Sequence, residues 1–224
     1  MTVLHDAMLV AGKDLRIERR SRVALQQVLP FGAVVLVLYA FALDPDRGIL
    51  ERVAPGLFWT AVLLAALLAV SRAFAVEESN AARDGLRLSG LDGIAIFFGK
   101  AAAIAVELAV LEVVLGVGVV VLYDVEVRGL ALILAAAVPA TIGLAATGTV
   151  YGVLGLGVRA RETLVPLLVL PVVTPVMLGG TQAFDAALDG RPGDGWPWVQ
   201  LLWAFAVLVV TLGALAFGPL LEES

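Results

Sequence analysis

The sequence predicts an all-α membrane protein of six transmembrane helices, and three observations carry that expectation. First, six apolar segments fill most of the chain: Pro30–Leu43, Val53–Val76, Phe97–Tyr123, Leu130–Val158, Leu164–Gly180 and Trp198–Leu221. Most reach the ~20 apolar residues that a helix needs to cross ~30 Å of hydrocarbon. Second, the composition is 61% hydrophobic and 16% charged, against ~45–50% and ~25% in a soluble domain. The mean hydropathy is +0.99. Third, the basic residues are one-sided. With the N-terminus in the cytoplasm, eleven Lys and Arg fall in inward segments and four (Arg47, Arg52, Arg128, Arg191) in outward ones. That is a positive-inside bias, and an even number of spans then places both termini in the cytoplasm. Little chain remains between spans, so residues 1–224 are expected to form one membrane domain without an attached nucleotide-binding module.

The elements follow in order. Residues 1–28 are charged and amphipathic. Leu4, Met8, Ala11 and Leu15 share one helical face, while Lys13, Arg16 and Arg20 point elsewhere. Two compatible readings are a positive topology anchor and a helix lying on the inner leaflet before the first span. A cleavable signal peptide is not expected, because the apolar run Ala7–Gly12 is short and its charges follow it. The second span opens at Arg52-Val53-Ala54-Pro55-Gly56-Leu57-Phe58-Trp59. Pro55 near a helix start costs little, and Trp59 one turn inside reads as an outer-interface anchor. The inward loop that follows, residues 77–96, groups charges first and then Leu86, Leu88 and Leu91 among glycines. It is either a short helix on the membrane surface or a coupling helix that inserts into a cytoplasmic motor protein.

The third span carries Glu107 and Glu112, ~10 and ~18 Å beyond Lys100 at 1.5 Å per residue. Ionised carboxylates at such depth are costly, so each is expected to be protonated, hydrogen-bonded, or facing a polar cavity or a partner subunit. Five residues of separation turn them ~140° apart on the helix, so they form no dyad. The fourth span is rich in small and hydroxyl residues, with Gly148 and Gly152 as a GxxxG pair for close helix packing. The fifth holds Pro166, Pro171 and Pro175, which should bend it. Residues 181–197 read as the longest outward loop, with a short helix at Gln182–Leu188 and an aromatic belt at Trp196 and Trp198.

Catalysis has little support. The chain has no cysteine and one histidine, His5. It has no HExxH, no nucleophile elbow and no Walker A run. It cannot assemble a His/Cys zinc site or a bis-His haem site alone. No basic patch interleaved with aromatics suggests nucleic acid. If ATP drives this protein, another polypeptide must hydrolyse it.

Val53-Ala54-Pro55-Gly56 with Trp59, then Arg72, Phe74 and Glu77 closing the second span, stand in a characteristic order. Lys100 at the start of the third span, Gly148-Thr149, Arg161-Glu162, and Leu170-Pro171 with Pro175 continue it. This order resembles the haem exporter protein B family (CcmB), a membrane subunit of the cytochrome c maturation system, over nearly the whole chain. The resemblance implies an ABC-2-type-exporter-like permease of the bacterial inner membrane, with an N-terminal interfacial helix and a cytoplasmic coupling helix. It implies partners: a separate ATPase subunit that binds the ATP, the C and D subunits of the same complex, and, indirectly, a periplasmic haem chaperone. Haem is then handled by the complex, with no cofactor bound by this chain. Glu77, Glu78, Arg83, Leu86, Leu88 and Leu91 become the ATPase-coupling residues. Pro55, Gly56, Trp59, Arg72, Lys100, Pro171 and Pro175 become the structural signature. Many relatives carry Gly-Ser/Thr-Leu-Glu and a proline in the coupling loop, where this chain has Asp84-Gly85-Leu86-Arg87 and then Ser89-Gly90. Glu107 and Glu112 stand outside the pattern. Two alternatives remain open: an ABC-type exporter of another substrate, such as a lipid or drug, and a proton-coupled secondary carrier using Glu112.

Overall fold

Apolar helices at these lengths must bury their polar backbone internally, and the structure, a computed structural model, does so throughout. It describes residues 2–22, 24–43, 47–79, 91–155 and 161–223. Among them the regular structure is helical: α1 Val3–Ser21, α2 Leu29–Ala42, α3 Arg47–Ser79, α4 Gly93–Tyr123, α5 Leu130–Leu154, α6 Arg161–Val172, α7 Thr174–Leu188 and α8 Pro192–Glu223. A π-helical turn, Ala24–Val28, leads into α2. Four helices (α3, α4, α5 and α8) are each long and apolar enough to cross a membrane. The bent pair α6–α7 supplies a fifth if it is counted as one span. The apolar run Gln26–Ala42 is shorter. The chain is thus a multi-pass membrane protein.

The small residues of the fourth apolar segment make α5 the centre. It packs against α3, α4, α6, α7 and α8. Gly148 and Gly152 of α5 meet Val70 and Phe74 of α3, so closely that a methyl group on either glycine would overlap the facing side chain. The GxxxG pair thus gives the Val70 and Phe74 side chains of α3 room to lie against the α5 backbone.

The prolines break the fifth segment where they cluster. Pro171 and Pro175 have no N–H to donate along the helix, and α6 and α7 meet at a 53° bend. The helix after the bend runs on to Leu188, and α8 begins at Pro192. The long outward loop expected over 181–197 is therefore mostly helix, joined by a turn at 189–191. Gly190 closes α7 with φ at +70°. Its N–H donates to the Ala187 carbonyl and that of Arg191 to the Ala186 carbonyl, the pairing that satisfies a helix end through a left-handed glycine. Arg191 braces the turn through Asp189 at 2.7 Å and Asp194 at 3.0 Å. The hydrogen bond that the guanidinium donates to Asp189, and then the charge of that carboxylate, hold Arg191 above its ordinary pKa.

Two readings of the second span change. Helix α3 begins at Arg47, so Pro55 lies well inside the helix and leaves the Glu51 carbonyl without its usual donor. Trp59 is fully buried. It packs edge-on to Phe58 and Phe184 at 5.4 and 5.2 Å between ring centres. Gly180 of α7 leaves the space its indole fills, since a Cβ there would lie 2.8 Å from Nε1. Trp59 is a core residue joining α3 to α7, whereas Trp196 is exposed.

Candidate functional site

Two buried charged side chains, Lys100 and Glu112, mark two places on α4. The first is near its N-terminus, where α3 ends and α4 begins on either side of residues 80–90. Arg83, Leu86 and Leu88 lie outside the described residues. Glu77 and Glu78 stand in the last turns of α3. Leu91 is half-buried and packs against the core. Asp92 caps α4, its carboxylate accepting from the Ile94 N–H at 3.0 Å, a common way to satisfy the free donors of a first turn.

Lys100 sits two turns further along and is only 5% exposed. Its ammonium lies 3.5 Å from the Asp14 carboxylate of α1 and 5.1 Å from the centre of the Phe74 ring of α3. Asp14 also pairs with Lys13 at 3.0 Å. A cation held between a carboxylate and an aromatic face is favoured where water is scarce. Gly99 makes the approach possible, because a Cβ there would lie 2.7 Å from the Ala7 carbonyl. Helix α1 thus docks on α4 through Ala7, Val10 and Asp14, while Leu4 and Met8 remain exposed. Of the apolar stripe predicted for α1, Leu4 and Met8 face away from the protein, and Ala11 and Leu15 are half-buried. Arg72, in the last turns of α3, is exposed. What the junction can do is hold α1, α3 and α4 in register, and Phe74 extends the contact to Gly152 of α5.

The second place is near the middle of α4. Glu112 is 7% exposed, and both its oxygens lie within hydrogen-bond distance of Thr141 Oγ1 on α5, at 2.8 and 2.9 Å. The same hydroxyl is 2.8 Å from the Ala137 carbonyl. Glu107 is half-buried on a different face of α4, as the helical geometry predicts. Glu112 and Thr141 line a cleft of about 640 Å³ whose other walls are apolar, including Pro55, Phe58, Ala109, Gly116, Ala137 and Phe184. Among the described residues, no His, Met or Tyr lines it. Among the described residues no group of three or more His, Cys, Asp or Glu could hold a metal ion.

Sequence reading placed Glu112 at mid-depth but did not pair it with Thr141. It placed Lys100 at the start of a span but not in contact with Asp14. Pro171 and Pro175 flank the α6–α7 bend, and Gly56 lends its carbonyl to the Thr60 hydroxyl at 2.7 Å.

Comparison with known proteins covers the whole of this arrangement. The model of the CcmB protein family matches residues 5–224. The "Heme exporter protein B" of Pseudomonas aeruginosa is 27% identical over 218 residues, 96% of this chain and 96% of that protein. The protein of the same name from Bradyrhizobium diazoefficiens is 31% identical over 215 residues, 94% and 95% of the two chains. That of Escherichia coli K12 is 29% identical over 214 residues, with the same coverage. The match runs from the first turn of α1 through α8 and includes both polar places on α4, so the chain belongs to the CcmB protein family.

Proposed function

We propose that this chain is the transmembrane subunit of an ATP-driven, haem-handling ABC complex in cytochrome c maturation. The observation that carries the reading is the end-to-end family match, whose named relatives are heme exporter proteins B. In this reading the chain crosses the bacterial inner membrane six times with both termini in the cytoplasm. The π turn and α2 together run from Ala24 to Ala42, roughly 28 Å at the α-helical rise, close to the ~30 Å of hydrocarbon. The bent α6–α7 pair is the fifth span. Residues 77–96 face the cytoplasm, and Glu77, Glu78, Arg83, Leu86, Leu88 and Leu91 receive a separate ATPase subunit.

Hydrolysis on that subunit drives haem delivery, or release of the haem-loaded chaperone from the C and D subunits. The Lys100 junction then has a task. A push on residues 77–96 reaches α3 and α4 together, and the Asp14 contact passes it to α1.

The test is purification of the membrane complex with its subunits identified by mass. An ATPase should accompany the native chain and be lost from Leu86→Asp/Leu88→Asp. An ATPase retained at unchanged yield by the double variant would sink the coupling assignment. The alternatives part on the same preparation. An exporter of lipids or drugs co-purifies with an ATPase but without cytochrome c maturation subunits. A proton-coupled carrier transports in liposomes without ATP and stops on Glu112→Gln.

A further inference from the structure

Helix α1 carries both signs of charge in sequence, and the fold sorts them. Its acids turn inward. Asp6 is 9% exposed, and Asp14 and Glu18 are half-buried. Asp14 meets Lys100 of α4 at 3.5 Å, and Asp14 and Glu18 both stand near enough to Glu107 of α4 for their charges to act on it. The arginines turn outward. Arg16, Arg19 and Arg20 are exposed, as is Arg22 just past the helix. The three helical arginines cover an arc of about 100°, roughly opposite the side docked through Ala7, Val10 and Asp14. His5, Leu9 and Gly12 share that arc, and no carboxylate of α1 falls on it.

The second observation is one of level. The π turn and α2 run from Ala24 to Ala42, about the thickness of the hydrocarbon. With this run as the first span, the hydrocarbon edge falls at Ala24. Arg20 and Arg16 precede that edge by four and eight residues. The arginines therefore stand at or beside the headgroup layer, which adds ~5–8 Å on each side of the hydrocarbon.

The third observation is chemical. Every one of these exposed bases is arginine. Its planar fork pairs two N–H groups with two phosphate oxygens, and a guanidinium is more weakly hydrated than an ammonium. A basic cluster directly beside a span is the pattern that attracts acidic phospholipid. A zwitterionic headgroup offers the same phosphate with its charge already balanced.

We infer that the outward arginine face of α1 is a binding site for acidic phospholipid headgroups, whose phosphates are held by Arg16, Arg19 and Arg20. The inference deepens the functional reading at one point. It rests on Ala24–Ala42 as the first span, and it needs neither the ATPase nor haem. An acidic protein segment is the poorer occupant, because the face lies at the level of the headgroups rather than clear of them.

The chain has no cysteine, so a single fluorophore can be placed at will. One position is Ile17→Cys, exposed beside the arginine face, and the control is Val121→Cys, exposed near the far end of α4. The labelled full chain is reconstituted in phosphatidylcholine vesicles. These contain either brominated phosphatidylglycerol or brominated phosphatidylcholine at the same mole fraction, and quenching reports which lipid lies beside the label. Phosphatidylglycerol should be enriched about fivefold beside Ile17→Cys, the figure for one arginine at a membrane surface. The enrichment should fall toward unity in Arg16→Gln/Arg19→Gln/Arg20→Gln and be absent at Val121→Cys. Each single change should lower it about twofold, a third of the same free energy, which keeps the test open if the triple variant does not fold.

Equal quenching by the two lipids at Ile17→Cys overturns the proposal, as does an enrichment that survives the arginine changes or is matched at Val121→Cys. Enrichment abolished by inorganic phosphate, but not by chloride at equal ionic strength, assigns the face to a soluble anion and also overturns it. A cysteine at Val34, exposed on α2, separates the two readings. Its reaction with a membrane-impermeant maleimide overturns the first span and this proposal with it. Its protection without phosphatidylglycerol enrichment counts against the arginine face alone.

Discussion

Gly152→Ala adds one methyl group and tests the packing that holds the α3–α5 pair together. The new Cβ would lie 2.7 Å from Phe74 Cζ and closer still to Cδ2 and Cε2. Ordinary carbon contacts sit near 3.5–4.0 Å, so the ring must move by more than an ångström or the helices must part. The ring has little room. Phe74 is 1% exposed and its face carries the Lys100 ammonium. Overpacking of this kind costs about 1–3 kcal/mol. For a chain of this size each kcal/mol lowers Tm by about 2–4 °C, so a fall of about 2–12 °C is expected. The assay is thermal unfolding of the purified protein in detergent, run as a cycle with Phe74→Leu. Because the smaller side chain vacates the clash, the two changes should be non-additive by ~0.5–3 kcal/mol. A Gly152→Ala protein with native Tm, or a double variant equal to the sum of its parts, refutes the close-contact argument.

Other outcomes follow from contacts elsewhere in the bundle. Lys100→Met removes the cation that joins α1 to α4, so a cysteine placed at Val10, 3% exposed in the native packing, should react faster with a water-soluble maleimide. An unchanged rate means that Ala7 and Val10 dock α1 without the ion pair. Tyr123→Phe deletes the hydroxyl that donates to the Leu36 carbonyl at 3.0 Å, a loss of about 1 kcal/mol and about 2–4 °C in Tm. Arg191→Ala should leave Tm within about 2 °C, because its three acidic partners are all solvent-exposed or nearly so. A larger fall would mean that the turn between α7 and α8 depends on side chains rather than on the Gly190 closure.

The helices were legible in the sequence because hydropathy reports directly on the solvent a segment prefers. The bend between α6 and α7 was legible because proline removes a donor at a known place. The faces were harder. For α1 the helical period correctly grouped Leu4 with Met8, yet the docked side is Ala7 and Val10. Periodicity shows that a stripe is apolar and is silent on whether lipid or protein lies against it. Trp59 was read as an interface anchor for the same reason, since a buried indole and a belt indole look alike until Phe184 and Gly180 arrive from another helix. Pro55 was misplaced because Arg47, Glu51 and Arg52 look like loop, whereas α3 carries them as helix. The pairs Lys100–Asp14 and Glu112–Thr141 depend on which helices are neighbours, and no local pattern encodes that.

Those pairs also explain how an apolar bundle settles on one arrangement. Lipid is as apolar as leucine, so burial alone gives helices little reason to prefer one another in a membrane. Close packing at small residues and a few polar links must decide. In this chain three such links lie on one helix: Lys100 ties α4 to α1, Glu112 ties it to α5, and Tyr123 ties it to α2. They are spaced roughly 18 and 16 Å apart along the axis, so each holds a different level. A rigid helix fixed to three neighbours at three heights cannot shift at one end without loading all of them. Helix α4 begins directly after the segment proposed to receive the ATPase. Its polar links are therefore where a displacement started there would be divided among α1, α5 and α2, and the mid-level link at Glu112 is the one that also faces the cleft.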